Sequence, residues 1–282
     1  MQIFANHDVF LLNGLRTACL VHKSTPIIPS SINLATQVLN KLWQKHSDLL
    51  VSNFILGHVL PGSTGQAPAR QALIKSEWQQ FITTHTVNKV CGSGMYAIME
   101  ASNLCALSDH SCNILAGGME NMTEALALKF ENSNHLFLDG LMDHTSSEKT
   151  LMTTLMDHYL LDHKWDRSVL DAYIISSIEK QIHASTCSWY KNHIINTELT
   201  PTLTVSKDQF KALIPDEVVN DEALNKPGIL SKAHISTIAS GAAIAIISND
   251  KKMPILLLQP FEVIILFRAI PIIFLNIRYK RH

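Results

Sequence analysis

Short apolar stretches alternate with longer amphipathic stretches along most of the chain, and this pattern predicts strands and helices in alternation. The short stretches are rich in β-branched or other apolar residues and predict buried strands over residues 8–13, 51–56, 85–90, 112–116 and 242–248. Apolar residues at helical spacing predict helices over residues 32–46, 93–107 and 166–184. The order over 85–116 predicts a βαβ unit, in which a right-handed crossover joins parallel strands. The pattern therefore predicts an α/β fold.

The third predicted helix, over 166–184, is expected to pack against the core, and the segment after it is expected to be irregular. Within 166–184 the apolar residues form one stripe, which we expect to face the core: Leu170, Tyr173, Ile174, Ile178 and Ile182. Residues 190–230 show no such period, and Pro201, Pro215 and Pro227 interrupt any long element there. We therefore expect this segment to consist of loops.

The composition is that of a globular protein and excludes some functional classes. A length of 282 residues predicts one or two domains, and 46% of the residues are hydrophobic. Only 17% are charged and the formal net charge is −1, which gives no electrostatic basis for binding nucleic acid. Because so little charge covers a chain of this size, we expect it to form a homo-oligomer or to associate with another subunit.

The cysteines and the N-terminal residues indicate a reducing compartment. The five cysteines are scattered and form neither a CxxC pair nor a metal-binding spacing, so we expect free thiols and no metal site. The first residues lack the basic start and apolar core of a secretory signal, and they lack the arginines of a transit peptide. We therefore expect a cytoplasmic protein.

One cysteine, Cys91, lies in the connection between the first strand and the helix of the predicted βαβ unit. A thiol at a helix N-terminus lies beside unpaired backbone N–H groups and the positive end of the helix dipole, and both favour the nucleophilic thiolate. Gly92 and Gly94 would let a substrate or a second backbone approach closely. Two interpretations fit this local pattern equally well. Cys91 is either a nucleophile or a small buried apolar residue, as most free cysteines are.

The sequence around Cys91 also resembles a known family. Residues 87–95, VNKVCGSGM, are similar to the nucleophile motif of the thiolases, the acyl-CoA C-acyltransferases. The resemblance implies a thiolase-like N-terminal half, with a mixed, largely parallel sheet covered by helices, and it implies that Cys91 carries the acyl group. It further implies substrates of the acetyl-CoA and acetoacetyl-CoA type, as in fatty acid metabolism. Coenzyme A would then be a substrate or product and not a permanently bound cofactor.

Two other segments resemble thiolase blocks. Residues 57–72 contain a Gly/Pro turn cluster, for which a phosphate-binding loop is the alternative, but no Gly-Lys-Ser/Thr is present. Residues 117–122, GGMENM, resemble a second thiolase signature. The resemblance implies that Gly117 and Gly118 bring the backbone beneath the nucleophile turn. Glu120 and Asn121 are either polar groups beside the site or a polar loop cap.

Three residues later in the chain are implied to contact acyl-CoA. Met152 matches the methionine that lines the acyl pocket of thiolases. Ser236 matches the serine that touches the pantetheine arm of coenzyme A, and His234 stands where thiolases carry an asparagine. The resemblance therefore assigns Met152, His234 and Ser236 to the substrate-binding region.

The resemblance divides the chain into four segments. Residues 1–122 would be the first part of the N-terminal thiolase domain, residues 123–230 an inserted loop domain, and residues 231–252 the returning strand. Residues 253–282 would be a degenerate apolar tail. A membrane span is the alternative for this tail, but its prolines and charged residues divide it into pieces well short of the roughly 20 residues that a spanning helix needs. We therefore expect no span.

The motifs of the second half of a thiolase do not occur in this sequence. That half supplies a histidine from Gly-His-Pro, an asparagine from Asn-Glu-Ala-Phe and a second cysteine from Cys-x-Gly-Gly-Gly. Turnover needs a base near the thiol, and the developing oxyanion needs fixed donors. We therefore expect a thiolase-like acyl-CoA C-acyltransferase that is impaired by truncation.

Two alternatives stay open beside the acyltransferase. One is a catalytically inactive thiolase remnant that at most binds partner subunits through its exposed half-interface. The other is a cysteine hydrolase in which Cys91 uses a nearby histidine, with His58, His85 and His234 as candidates. A histidine nitrogen within hydrogen-bond reach of the Cys91 sulfur would favour the hydrolase.

Overall fold

A computed structural model describes residues 8–21, 25, 27–127, 152–210 and 213–250. These residues fall into two compact units. Of the described residues, the first unit contains those up to 127, from 192 to 209 and from 238 to 250, and the second contains those from 152 to 191 and from 210 to 237.

A mixed sheet forms the centre of the first unit. The strands described are β1 (Phe10–Arg16), β2 (Leu20–Val21), β3 (Asn53–Gly57), β4 (Thr83–Val87), β5 (Asn113–Glu120), β6 (Thr197–Thr200), β7 (Leu203–Val205) and β8 (Ala239–Ser248). Six of them form one sheet in the order β1, β8, β5, β3, β4, with β2 also paired to β8. β3 is parallel to β4 and β5, whereas β8 is antiparallel to β1, β2 and β5. All strands of this sheet except β8 therefore run in one direction, which confirms the predicted mixed, largely parallel sheet.

Helices cover both faces of this sheet. The helices described are α1 (Ser31–His46), α2 (Pro68–Ile74), α3 (Ser93–Leu107), α4 (Met122–Ala127), α5 (Met152–Asp162), α6 (Arg167–Thr186), α7 (Ser188–His193) and α8 (Pro215–Val219). The connections through α1 and α2 lead toward the β4 edge, whereas the connection through α3 leads back from it. Right-handed crossovers in opposite directions place α3 on the face opposite α1 and α2. Because both faces are covered, β5 and β8 are buried along their whole lengths.

The predicted strands and helices of the first unit are present with shifted ends. β5 was expected to end at Ala116, but it continues through Gly117 and Gly118 to Glu120. The expected end was wrong because these glycines stay extended and pair with β3 on one side and β8 on the other. β4 ends at Val87, three positions before its predicted end at Val90, where the chain turns with a positive φ.

The expectation that residues 190–230 are loops is wrong. This segment contains the β6–β7 hairpin and helix α8. Pro215 occupies the first turn of α8, where its missing N–H costs nothing. The hairpin segment belongs to the first unit, and Asp208, whose side chain is only 8% exposed, attaches it there. The two carboxylate oxygens of Asp208 each accept a bond of 2.7 Å from the Arg16 guanidinium.

The expectation that the α6 stripe forms core is also wrong. Tyr173 and Ile182 are exposed, and within α6 only Asp171 and Ala184 are buried. Polar side chains of α6 contact other elements of the unit. Arg167 donates to the carbonyl of Val218 in α8 at 3.1 Å, and Asp171 lies 2.9 Å from His234. These contacts turn a charged side of the helix inward. Tyr173 and Ile182 are therefore left exposed, and the rest of the stripe (Leu170, Ile174 and Ile178) is half-buried.

The predicted segment boundaries stay predictions. The two compact units divide the chain at different positions. Residues 192–209 were assigned to the insertion and lie in the first unit, whereas the described residues of 152–191 and 210–237 form the second. The predicted tail over 253–282, with its membrane alternative, lies outside the described residues. Among the helices that are described, none is long and apolar enough to cross a membrane.

Candidate active site

Cys91 is exposed in the connection between β4 and α3. It directly precedes Gly92, the residue that caps the N-terminus of α3. The predicted strand, turn and helix are therefore present, and the interpretation of Cys91 as a small buried residue is wrong. A reagent in solvent can reach this thiol.

Hydrogen bonds hold the turn before Cys91 in an unusual conformation. Val90 has a φ of 49°, a left-handed value that is rare for a β-branched residue. The hydroxyl of Ser93 accepts the N–H of Lys89 at 2.8 Å and donates to the carbonyl of Val90 at 2.6 Å. The N–H groups of Gly92 and Ser93 donate to the carbonyls of Lys89 and Val90, both at 3.1 Å. Two of the helix N-terminal donors that were expected beside the thiol are therefore used by the turn itself.

A glycine at the end of β3 lies against the start of α3. A Cβ atom on Gly57 would be 2.6 Å from the carbonyl carbon of Ser93 and 2.7 Å from the nitrogen of Gly94. The two backbones are therefore in direct contact. Nothing in the motif around Cys91 points to Gly57. Its sequence signals are its position directly after a predicted buried strand and at the start of the thiolase-like segment 57–72.

The other predicted glycines have different surroundings. A Cβ on Gly117 would be 1.9 Å from the carbonyl oxygen of Ala243 in β8, so its close approach is to β8 and not to the nucleophile turn. Gly118 pairs with Gly57 across the sheet. Gly92 has a φ of −85°, and a Cβ there would be 3.4 Å from the carbonyl of Lys89, which leaves room for a methyl group.

His58 and Glu120 form a buried polar pair where β3 and β5 end. His58 Nε2 lies 3.3 Å from Glu120 Oε1 without the alignment of a hydrogen bond. The second carboxylate oxygen of Glu120 accepts the N–H groups of Val59 and Leu60 at 3.1 and 3.3 Å. Asn88, in the turn before Cys91, donates its amide to the carbonyl of Val59 at 3.1 Å. Glu120 therefore connects the end of β5 to the segment that supports the nucleophile turn, a role that the sequence did not reveal.

Asn121 is a buried loop cap. Its side-chain oxygen accepts the N–H groups of Thr123 and Glu124 in α4 at 2.9 and 3.2 Å. Its amide donates to the carbonyl of Pro29 at 2.9 Å. Of the two interpretations of Asn121, these contacts match the polar cap.

The predicted substrate residues of the second unit have contrasting environments. His234 is enclosed: its Nδ1 accepts the N–H of Ser231 and contacts the Ser231 hydroxyl, both at 2.9 Å, and its Nε2 lies 2.9 Å from Asp171. These distances resemble a serine–histidine–aspartate arrangement, but the contact between His234 and Asp171 lacks the alignment of a hydrogen bond, and Ser231 is fully buried. Ser236 is exposed, and Met152 is the first residue of α5.

The histidine that the hydrolase hypothesis requires is not observed at Cys91. Over the described ranges, no hydrogen bond joins Cys91 to a histidine. His58 and His234 contact carboxylates inside their own units, and His85 is exposed on β4. In the same part of the chain, no group of three or more histidines, cysteines or acidic residues could hold a metal ion.

The fold and the site define an α/β protein that presents an exposed cysteine on a tight strand–turn–helix connection. Residues 13–251 match the family described as thiolase, N-terminal domain. The match covers most of the chain, so the chain belongs to the thiolase family.

Individual relatives agree with this family. A probable acetyl-CoA acetyltransferase from Dictyostelium discoideum is 28% identical over 230 residues, which are 76% of this chain and 55% of that protein. A probable acetyl-CoA acetyltransferase from Escherichia coli (strain K12) is 26% identical over 87% of this chain and 66% of its own length. A crystal structure of the Bacillus anthracis acetyl-CoA acetyltransferase has the same fold, with a TM-score of 0.74 at 19% identity, over 89% of this chain and 67% of the other. The chain thus spans about 55% to 66% of the length of these two relatives.

Proposed function

We propose that this chain is a thiolase-type acyl-CoA C-acyltransferase in which Cys91 accepts an acyl group from acetyl-CoA or a similar thioester. The observation that carries the proposal is the exposed thiol of Cys91 on a turn that Ser93 and the backbone of Gly57 hold in place. Membership of the thiolase family supports it.

In the proposed first step the thiolate of Cys91 attacks the carbonyl carbon of the thioester. A bond forms between the Cys91 sulfur and the acyl carbon, the bond from that carbon to the sulfur of coenzyme A breaks, and coenzyme A leaves as a thiol after taking a proton. In the reverse direction coenzyme A is the attacking thiol. Coenzyme A is therefore a substrate and product of the proposed reaction, with no permanently bound cofactor.

Three residues of the second unit are assigned to the binding of acyl-CoA in this proposal. We place the pantetheine arm against Ser236, which is exposed, and we assign Met152 to the acyl pocket. His234 is held by Ser231 and Asp171, so we propose that it orients the segment leading to Ser236 from within the unit. The five free thiols suit a reducing compartment such as the cytoplasm.

We expect acylation of Cys91 to be slow compared with a full-length thiolase. The motifs that supply the second-half histidine, asparagine and cysteine do not occur in this sequence. Loss of one oxyanion donor alone lowers a rate by about 10²- to 10³-fold. The same residues are needed to remove the proton for carbon–carbon bond formation, so condensation should be affected more than acylation.

Mass spectrometry after incubation with acetyl-CoA tests the proposal. We expect one acetyl group on the intact protein, located on the peptide that contains Cys91 and absent from Cys91→Ala. Cys187→Ala is the matched control, because Cys187 is a half-exposed thiol in the other unit and its loss should leave the adduct unchanged. Thiolysis of acetoacetyl-CoA is measured in parallel.

Each outcome decides between the hypotheses. An acetyl adduct on Cys91 supports the acyltransferase, and turnover of acetoacetyl-CoA would in addition contradict the expected impairment. Absence of the adduct, in a protein whose Cys91 still reacts with iodoacetamide, would overturn the acyltransferase.

The second candidate function is a catalytically inactive thiolase remnant that binds another subunit. The specific observation in its favour is an apolar outer side of α3, where Tyr96, Met99, Leu104 and Leu107 are between 37% and 56% exposed. Association of the protein without any acetyl adduct would support this function.

A further inference from the structure

Two cysteines meet where α3 ends and β5 begins. Cys105 lies in the last turn of α3, and Cys112 directly precedes β5. The sulfur of Cys105 lies 3.5 Å from the main-chain oxygen of Cys112 and 3.6 Å from that of Ile247. The thiol of Cys105 thus already points at the backbone of Cys112 and away from solvent.

The side chain of Asn249 holds the backbones of both cysteines together. Its amide nitrogen donates to the carbonyls of Cys105 and His110, both at 3.0 Å. Its oxygen accepts the N–H of Cys112 at 2.8 Å. One carboxamide therefore fixes both ends of the loop over residues 106–111. A disulfide requires its two Cα atoms to lie within about 7 Å of each other. The shared carboxamide and the contact of the Cys105 sulfur with the main chain of Cys112 favour such an approach.

Only one of the two thiols can be reached from solvent. Cys105 is fully buried, whereas Cys112 is half-exposed. Cys112 also lines a surface cavity of about 470 Å³, together with Leu50, Phe81, Leu104 and Ser108. Cys112 therefore offers a thiol that solvent can reach, whereas the thiol of Cys105 is buried beside it.

The two thiols also differ in reactivity. Burial raises the pKa of the Cys105 thiol, and the neighbouring Cys112, which is hydrogen-bonded to it, raises this pKa further. Cys105 is therefore protonated and unreactive on its own, because the thiolate is the nucleophile in disulfide exchange. Exchange must begin at Cys112.

We propose that Cys105 and Cys112 form a reversible disulfide by exchange with a small-molecule disulfide of the glutathione type. The thiolate of Cys112 attacks one sulfur of the small disulfide, so that a mixed disulfide forms and one small thiolate leaves. Cys105 then gives up its proton and attacks the Cys112 sulfur, which forms the internal disulfide and expels the second small thiolate. The two protein thiols are oxidised and the small disulfide is reduced to two thiols. This modification does not depend on the proposed acyltransferase function.

The other cysteines lack this arrangement. Cys19 is buried, and burial together with the adjacent carboxylate of Asp208 raises its pKa. Cys91 is exposed in the nucleophile turn. Cys187 is half-exposed, and its sulfur lies 3.5 Å from the carbonyl of His183 in the second unit. We expect Cys91 and Cys187 to form mixed disulfides at most.

Peptide mapping of the oxidised protein tests the proposal. The reduced full chain is incubated with glutathione disulfide, its remaining thiols are blocked with N-ethylmaleimide, and it is cleaved after glutamate and at Asp109. Glu100 and Asp109 separate Cys91, Cys105 and Cys112 from one another, so only a disulfide can keep two of these peptides joined. We expect the Cys105 and Cys112 peptides to stay joined until a reductant is added, with neither cysteine blocked.

Variants separate the internal disulfide from simple glutathionylation. Cys105→Ala should lose the joined peptides and keep glutathione on Cys112, whereas Cys112→Ala should leave Cys105 unmodified. Cys187→Ala, the matched control, should form the disulfide as the wild type does. A wild-type protein that keeps glutathione on Cys112 while N-ethylmaleimide blocks Cys105 after denaturation would overturn the proposal, as would joining of Cys112 to a different cysteine. The wild-type result decides the question even if a variant fails to fold.

Discussion

At the scale of single residues, one buried carboxylate in each unit gathers donors from segments that are distant in sequence. In the first unit Asp208 accepts the guanidinium of Arg16 and, at 2.8 Å, the N–H of Cys19. In the second unit Asp157 accepts the N–H groups of Ile229 and Leu230 at 2.8 and 2.9 Å. A buried acceptor with several donors is costly to remove, because each donor is left without a partner.

Asp157 should make the stability of the second unit depend on acid pH. Burial acts to raise the pKa of Asp157, but hydrogen bonds from Leu230, Asn225 and Ile229 outweigh it and hold this pKa below its ordinary value. A lowered pKa in the folded state stabilises the fold above the unfolded pKa of about 3.9, and this contribution is lost as pH falls through the folded pKa. We expect Asp157→Asn to lower the free energy of unfolding at pH 7 by about 1–3 kcal/mol and to flatten its decline below about pH 4. Denaturant titrations between these pH values measure both effects.

The matched control for Asp157 is Asp162→Asn, an exposed aspartate on the same helix. It should change the free energy of unfolding by less than about 0.5 kcal/mol. Equal losses in the two variants would contradict the role given to Asp157.

Asp208 should be essential for attaching the β6–β7 hairpin segment to β1. Asp208→Asn leaves the buried guanidinium of Arg16 without its counter-charge, and breaking a buried ion pair in this way costs about 3–5 kcal/mol. Chemical denaturation followed by circular dichroism measures the loss. Asp48→Asn, at an exposed position of the same unit, should be nearly neutral. A loss below about 1 kcal/mol for Asp208→Asn would show that the pair is solvated.

At the scale of elements, the apolar pattern predicted the long central strands and helices of the first unit, but it missed the β6–β7 hairpin and did not show which elements are neighbours in space. The pattern for β5 and β8 was sufficient because both are buried along their whole lengths. It failed for α6, whose apolar stripe has the right period but whose interior contacts are made by Arg167 and Asp171. At the candidate site, too, local pattern predicted the elements but not the contacts between them. The Cys91 motif predicted the strand, turn and helix, whereas Gly57 and Glu120 support that turn through contacts with segments that are distant in sequence and that no local pattern contains.

Gly57 should tolerate a methyl group far less well than Gly92. A Cβ on Gly57 would lie 2.6 Å from a backbone carbon of α3, which cannot move without shifting the helix, whereas a Cβ on Gly92 meets its nearest atom at 3.4 Å. We expect Gly57→Ala to lower the free energy of unfolding by about 1–3 kcal/mol, the usual cost of overpacking. Gly92→Ala should be within about 0.5 kcal/mol of the wild type. Thermal unfolding of the two variants, which add the same methyl group, makes the comparison, and equal midpoints would contradict the backbone contact.

At the scale of the whole molecule, little electrostatic repulsion opposes association. The formal net charge is −1, and large apolar side chains are exposed on the first unit, among them Leu50 and Phe81 at 75% and 77% and the outer side of α3. Apolar area removed from water contributes roughly 25 cal/mol per Å², so a surface of this kind favours contact with another protein.

We therefore predict that the purified protein self-associates through the outer side of α3. Met99 is 56% exposed in the middle of that helix, and Met99→Lys places a charge where apolar contact is expected. Sedimentation velocity over a range of concentrations should show a rising average mass for the wild type and a dissociation constant at least about fivefold higher for Met99→Lys, since an interface residue of this kind contributes more than about 1 kcal/mol. Added salt should leave the wild-type association unchanged or strengthen it, because apolar contact is not screened. Gln44→Lys makes the same change of net charge at an exposed position on α1 and should associate as the wild type does. Equal weakening in both lysine variants would show that net charge and not the α3 surface controls association, and a mass independent of concentration would contradict the prediction outright.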